Sequence, residues 1–327
     1  MKYLKKTNIE TNGFALSRIG SGSMRMAGNM QESIATIHAS LDAGINYLNT
    51  ADFYGSGQSE MTICEALKGR KREDVFISVK FGMLLGVNGQ MYGLDVRPQA
   101  VENYLNYTLK RLGTDYVDLY QPARIDPNIP VEDTIGAVAD LVKKGYVRNI
   151  GISEVNGETL RKANAVHPIS LVEVRYSMMD RHIEDDLLPV AHELGIGVVA
   201  FAVLLAGLIG GGSREQKLAT MSGRMSAEAL EDIKRNIALS DALQAMADEK
   251  GITLAQLAIS WVLSQGDDIL ALVGSRTPAQ VIDTVKAMDI KLTTEDLNRI
   301  GKIIPKEQAT SSYMLDIKVD KNGLLIR

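Results

Sequence analysis

The stretch GINYLNTADFYGSGQSE, Gly44 to Glu60, runs through Ile45, Tyr47 and Leu48 before its character changes. Apolar and aromatic positions lead into Asn49 and Thr50, and then come Asp52 and Tyr54, set just before Gly55. The pattern reads as a buried strand that ends in a polar turn with a phenol at its lip.

Working outward, the same kind of run recurs. The runs are SRIGSGSM from Ser17, YLNT from Tyr47, DVFISVKF from Asp74, YVDLYQP from Tyr116, RNIGISEV from Arg148, LVEVRYS from Leu171, GVVAFAVL from Gly197 and DILALVGS from Asp268. Near-continuous hydrophobicity is what a parallel strand covered on both faces requires. Amphipathic stretches lie between them. Gln31 to Ala43 carries Ile34, Ile37 and Leu41 at helical spacing, and RPQAVENYLNYTLKRLG carries Val101, Leu105, Leu109 and Leu112 on one face. Several of these stretches close on glycine, a frequent left-handed helix cap. Eight strand–helix units in succession predict an α/β fold, a (β/α)8 TIM barrel occupying residues 1–327 as a single domain. Ahead of them, KTNIETNGFALSR holds two short runs about Asn12-Gly13, a β-hairpin expected to plug the N-terminal mouth of the barrel.

Two segments break the rhythm: the glycine-punctuated KFGMLLGVNGQMYGLDVRP after the third strand, and a long insertion from Leu204 after the seventh. Both follow strand C-termini, where lids and substrate loops of this fold belong.

The bulk properties exclude several classes. The chain has 327 residues, is 45% hydrophobic and 23% charged, and carries a formal net charge of −4. Its 36 basic residues are dispersed, which argues against nucleic-acid binding. No run is long and apolar enough to span a membrane, and MKYLKKTNIE has no apolar segment behind its charges, so a cytoplasmic protein is expected. The only cysteine, Cys64, has helical spacing beside Glu60 and Glu65, which suits packing better than thiolate chemistry. The four histidines have no metal-ligand spacing, so no metal is expected.

In a barrel, polar residues at strand C-termini converge. Lys80 ends a strand whose preceding positions are apolar or small, and Asn49 and Tyr54 follow the neighbouring one. An ammonium beside a phenol stabilises phenolate and is expected to lower the phenol pKa toward neutrality, which suits a general acid for a carbonyl oxygen.

GINYLNTADFYGSGQSE, ISVKFG, GTDYVDLYQPARIDP, KKGYVRNIGIS and LVGSRTPAQV together resemble, in order, the signature segments of the aldo-keto reductase superfamily. The resemblance implies an NADPH-dependent barrel enzyme reducing aldehydes or ketones, with a small-molecule carbonyl substrate as partner. It makes Tyr54 the proton donor and Lys80 its partner, with Asn49 where the family has a catalytic aspartate. The family's histidine falls on Ala123. Loss of the aspartate is expected to lower the Lys80 pKa and to favour the Tyr54 phenolate. Arg124 is a candidate substitute for the imidazole, and Asp52 reads as a turn cap.

For the cofactor, the resemblance places Gly22, Ser23 and Met24 near the nicotinamide ribose, Ser153 and Glu173 at the carboxamide, and Phe201 against the nicotinamide ring. Glu154 stands where the family has asparagine, and Arg175 is expected to neutralise Glu173 from the same strand face. Gly274, Ser275, Arg276 and Gln280, at a helix start, match the segment that holds the adenosine 2′-phosphate. Asp283 and Thr284 replace a glutamate–asparagine pair that contacts adenine. An alternative reading is a nicotinamide-binding regulatory protein with little turnover, motivated by the two altered positions.

Overall fold

The computed structural model describes residues 6–11, 13–24, 26, 29–207, 209, 227–309 and 317–326. Its centre is a closed barrel of eight parallel strands: β3 (Ile19–Gly22), β4 (Tyr47–Ala51), β5 (Phe76–Phe81), β8 (Val117–Pro122), β9 (Val147–Ser153), β10 (Ile169–Arg175), β11 (Gly197–Phe201) and β12 (Ile269–Val273). Each coincides with one of the eight hydrophobic runs. Helices lie outside, among them α1 (Met30–Asp42), α2 (Gln58–Leu67), α3 (Pro98–Leu112), α4 (Val131–Lys143), α5 (Gly157–Val166) and α6 (Leu187–Leu194). Local chemistry marks their ends. Asn29 accepts from the backbone of Gln31 and Glu32 at the start of α1, and Gly113 closes α3 at φ +63°. Among the described residues no helix is long and apolar enough to cross a membrane.

Two hydrophobic clusters divide the core. One fills the space between barrel and helices, with Leu48, Ile77, Val79, Tyr120, Val172 and Val198 among its strand contributions. The other is inside the barrel, where Tyr47, Phe76, Leu119, Leu171, Val199, Leu270 and Leu272 meet. Alternation along each strand separates the two sets. The inward-facing rows then change character as they climb: Tyr47 is followed by Asn49, Phe76 by Ser78 and Lys80, Leu119 by Gln121, and Leu171 by Glu173. The floor of the barrel is therefore apolar and its C-terminal mouth polar.

The N-terminal hairpin is present, β1 (Lys6–Thr11) pairing antiparallel with β2 (Phe14–Ser17) through Gly13 at φ +79°. Leu16 joins the interior cluster, and the Phe14 ring lies 5.6 Å from that of Phe76. The hairpin thus closes the floor.

The segment after β5 differs from the expected loop. It forms a second hairpin, β6 (Met83–Leu85) with β7 (Met91–Leu94), and the C-terminal segment pairs with it through Gly93 and Leu324. Leu94 donates to the Gly323 carbonyl at 2.7 Å, and Leu325 to that of Tyr92 at 2.9 Å. Any side chain at Gly93 would sit 2.6 Å from the Gly323 oxygen, which accounts for the glycine. The insertion after β11 lies mostly outside the described residues, from 210 to 226; the helix Ala227–Glu249 follows it.

The plug should be measurable. Leu16→Ala removes a fully buried side chain from the interior cluster, and unfolding by denaturant should show a loss of about 2–5 kcal/mol. A loss below about 1 kcal/mol would mean that the hairpin does not share the barrel's core.

Candidate active site

The polar mouth is organised about Lys80 and Glu173. Lys80 rises from β5 and Glu173 from β10, three strands apart around the barrel, and Lys80 Nζ lies 2.8 Å from Glu173 Oε1 with both side chains almost wholly buried. Asn49 on β4 completes a triangle: its Oδ1 accepts from Lys80 Nζ, and its Nδ2 donates to Glu173 Oε2 at 2.6 Å. From β8, Gln121 Nε2 donates to the same Oε2 at 2.7 Å. Ser78 Oγ, lower on β5, lies 3.4 Å from Asn49 Nδ2 and 3.3 Å from Gln121 Nε2. Tyr54, half-buried in the turn after β4, has the Lys80 ammonium 5.3 Å from its ring centroid.

Two electrostatic expectations are corrected here. Burial pulls the Lys80 pKa down, but the Glu173 carboxylate, the Tyr54 phenol and their hydrogen bonds more than offset it, and the net shift is upward. The anion missing at position 49 is supplied from β10. For Tyr54, burial pushes the phenol up, Lys80 opposes this, and Glu173 adds to it, so the net shift is also upward. The phenol keeps its proton at neutral pH.

Glu173 itself was expected at a carboxamide. Both of its oxygens are instead taken by Lys80, Asn49 and Gln121. Nor does Arg175 neutralise it. Arg175 Nε lies 3.0 Å from Glu154 Oε2, and its backbone N–H donates to Glu154 Oε1 at 2.8 Å. Glu154 adopts φ +52° just beyond β9, which turns its side chain toward the end of β10. Arg124 Nη2 lies 3.8 Å from the same Glu154 oxygen, while its Nη1 donates to the Ala123 carbonyl at 2.6 Å. Ala123 is buried, and its N–H donates to Phe81 O at 2.9 Å.

The remaining predicted residues lie at other strand ends and at the helix that follows β12. Gly22 ends β3 beside Asn49. Ser23 Oγ donates to the Asn49 carbonyl at 2.7 Å and receives a bond from Ser59 Oγ at 2.7 Å, so it holds the strand ends together, while Met24 is exposed. Ser153 Oγ is buried at the end of β9 with no hydrogen-bond partner among the described residues. Phe201, half-buried at the end of β11, packs on the interior cluster. After β12, Gly274 and Arg276 are exposed and Ser275 is buried. Thr277 caps the helix Pro278–Val285, and Gln280 Oε1 accepts from the Arg276 N–H at 2.8 Å. Asp283 is committed to Gln256 Nε2 at 2.7 Å and Thr253 Oγ1 at 3.2 Å.

Sequence reasoning missed Gln121 and Ser78. Their signal was available: both occupy inward-facing positions two residues from a floor residue.

The chain matches the sequence profile of the Aldo/keto reductase family over residues 18–305. The chain belongs to this family. A curated relative, a probable aldo-keto reductase of Glycine max, is 33% identical over 92% of this chain and 89% of its own length. Among solved structures, a glycerol dehydrogenase from Gluconobacter oxydans is 26% identical with a TM-score of 0.80, over 96% of this chain and 97% of that one. An aldo/keto reductase from Klebsiella pneumoniae, solved with NADP and acetate, is 26% identical with a TM-score of 0.72, over 92% of this chain and 96% of that one. Aldo/keto reductases draw on NAD(P)H.

In the Tyr54 turn itself this family member carries a half-buried acid. The Asp52 carboxyl is pushed up to about 8 by burial and by the neighbouring Glu60, against the opposing influence of Arg111 and the N–H groups of Phe53 and Gly82. Its Oδ1 is shut off from solvent without a partner. The folded-state pKa is raised, so between the ordinary carboxylate range and about 8 only the unfolded chain ionises, and stability falls as pH rises. Asp52→Asn removes that dependence. Its stability relative to wild type should rise between pH 4 and pH 8 by on the order of 1 kcal/mol or more in denaturant titrations. A gap that stays constant with pH would mean that Asp52 is ionised throughout.

Proposed function

We propose that this chain is an NADPH-dependent carbonyl reductase in which Tyr54 gives a proton to the carbonyl oxygen and Lys80 stabilises the phenolate left behind. The observation that carries the reading is the Lys80 ammonium, kept charged by Glu173 and lying beside the Tyr54 ring at the C-terminal mouth of the barrel. A neutral phenol is the donor form, and the charge that develops on it during transfer is met by a cation already in place.

The residues fit the cofactor. Ser153 Oγ, buried and unpartnered, is an orphan that a carboxamide would satisfy. Phe201 offers a ring face at the end of β11 over the interior cluster. Gly274 and Ser275 bring backbone close to the helix start at Thr277, and the exposed Arg276 guanidinium suits a 2′-phosphate. When bound, the reduced nicotinamide supplies the hydride to the carbonyl carbon. The Klebsiella pneumoniae relative, with its NADP, supports the same choice.

At position 123 the side chain is a methyl group and donates no hydrogen bond, so orientation of the carbonyl falls to Tyr54 and the pocket walls. This altered position is the ground for the second reading, cofactor binding with little turnover. NADPH consumption with a panel of aldehydes and ketones separates the two: binding without consumption favours the regulatory reading.

Tyr54→Phe removes the proton and leaves the adenosine end untouched. Its kcat should fall about 10²- to 10⁴-fold with cofactor affinity nearly unchanged; activity within about threefold of wild type would place the proton elsewhere. Arg276→Ala should weaken NADPH about tenfold or more while leaving NADH within about twofold, read by cofactor fluorescence titration. Equal weakening of both would remove the 2′-phosphate assignment.

A further inference from the structure

We propose that Glu173 is the positioning residue that keeps Lys80 charged and aimed at Tyr54, and that positions 49 and 173 form an exchangeable pair carrying one negative charge between them. This assignment rests on the carbonyl-reductase reading above.

The donors and acceptors admit one solution. Lys80 can only donate, so both atoms that face it, Asn49 Oδ1 and Glu173 Oε1, must be acceptors. With its oxygen committed to Lys80, Asn49 must turn Nδ2 toward Glu173 Oε2, 2.6 Å away. Gln121 Nε2 takes the rest of that oxygen. Glu173 is thus the acceptor for three donors from β4, β5 and β8, and among the described residues the only anion bonded to Lys80. Among the described residues, the other charged or titratable groups that face this pair are Tyr47 on β4, Tyr54 after β4 and Arg124 after β8.

Each single exchange breaks this pattern in its own way. Glu173→Gln leaves a buried ammonium with neutral acceptors and sets an amide NH2 among three donors. Asn49→Asp places a second carboxylate oxygen where Nδ2 now lies, 2.6 Å from Glu173 Oε2, and the two can coexist only if one holds a proton. The double exchange restores the count. Lys80 regains one anion, now on β4, and the amide introduced at position 173 donates to that carboxylate. Gln121 accommodates the change by turning its amide over, since its Oε1 is at present buried without a partner.

The test is the four-member cycle of wild type, Asn49→Asp, Glu173→Gln and the double variant, on the full chain. Turnover of one aldehyde should fall about thirtyfold or more in kcat for Glu173→Gln, with KM and cofactor Kd changed less than about threefold. Its activity should also be lost progressively as pH rises, because Lys80 gives up its proton earlier. Asn49→Asp should be near wild type at about pH 5, where the new carboxyl holds a proton and donates as Asn49 does, and should lose activity toward pH 8. The double variant should return to within about fivefold of wild type at pH 8. Melting temperature follows the same cycle without requiring turnover: each single variant should melt about 5–10 °C lower at pH 8, and the double variant should recover at least half of the loss. Additive effects, in kcat or in melting temperature, would overturn the proposal, as would a Glu173→Gln variant with the wild-type pH profile. Recovery of melting temperature in a chain that reduces no carbonyl would support the charge exchange and sink the reductase reading. Turnover with an additive cycle would do the reverse.

Discussion

A buried lysine keeps its proton only beside an anion, and the ion pair between Lys80 and Glu173 is the constraint around which the mouth of this barrel is arranged. Taking both charges out of water costs several kcal/mol each, and Coulomb attraction recovers it only when the remaining hydrogen-bonding capacity is also filled. Asn49 and Gln121 fill it for Glu173, and Asn49 and Tyr54 flank Lys80. Because each of these side chains has its donor or acceptor sense dictated by its neighbour, the network has little freedom to rearrange. Four strands that are distant in sequence are thereby locked in register at their C-terminal ends.

The barrel can hold such a network because its floor is dry and closed. Tyr47 and Phe76 stack with ring centroids 5.6 Å apart, and Leu16 from the hairpin seals the layer beneath them. One step up each strand, the inward positions become Asn49, Ser78, Gln121 and Glu173. Water excluded from below strengthens every charge interaction above. The packing that stabilises the fold therefore also supplies the low dielectric in which an ammonium can act on a phenol. At the rim a second cluster, Arg124 and Arg175 about Glu154, takes charges that the interior does not use.

The barrel was legible from the sequence because a strand buried on both faces leaves a continuous apolar run, and eight such runs have few other solutions. The hairpin β6–β7 was not, since its pairing partner is the C-terminal segment near Leu324, and no local pattern announces a strand completed from so far away. In the candidate site, Tyr54 and Lys80 could be placed at neighbouring strand ends one strand at a time. Glu173 could not be placed correctly that way, because its partner is across the barrel lumen and not on its own strand. The same-face argument for Arg175 failed for a local reason: at the end of β10 the nearest acid is Glu154, carried inward by a left-handed backbone. Gln121 had no signal of its own until the second oxygen of Glu173 needed a donor.

Moving the negative charge from β4 to β10 does not free Tyr54 from it. A carboxylate across the lumen opposes phenolate just as one on the adjacent strand would, and with burial it holds the Tyr54 pKa above the usual value despite Lys80. The form present at neutral pH is accordingly the protonated one, which is the form a carbonyl reduction consumes. Alcohol oxidation would need the phenolate, and here that species must be generated against both desolvation and Glu173. That resting protonation state agrees with the reduction proposed above. In the reduction proposed above, Ala123 donates no hydrogen bond, so the developing oxyanion would depend on the Tyr54 proton more heavily than with a second donor present. A phenol that holds its proton until the oxygen becomes basic, next to an ammonium that cannot leave, is a consistent answer to that dependence.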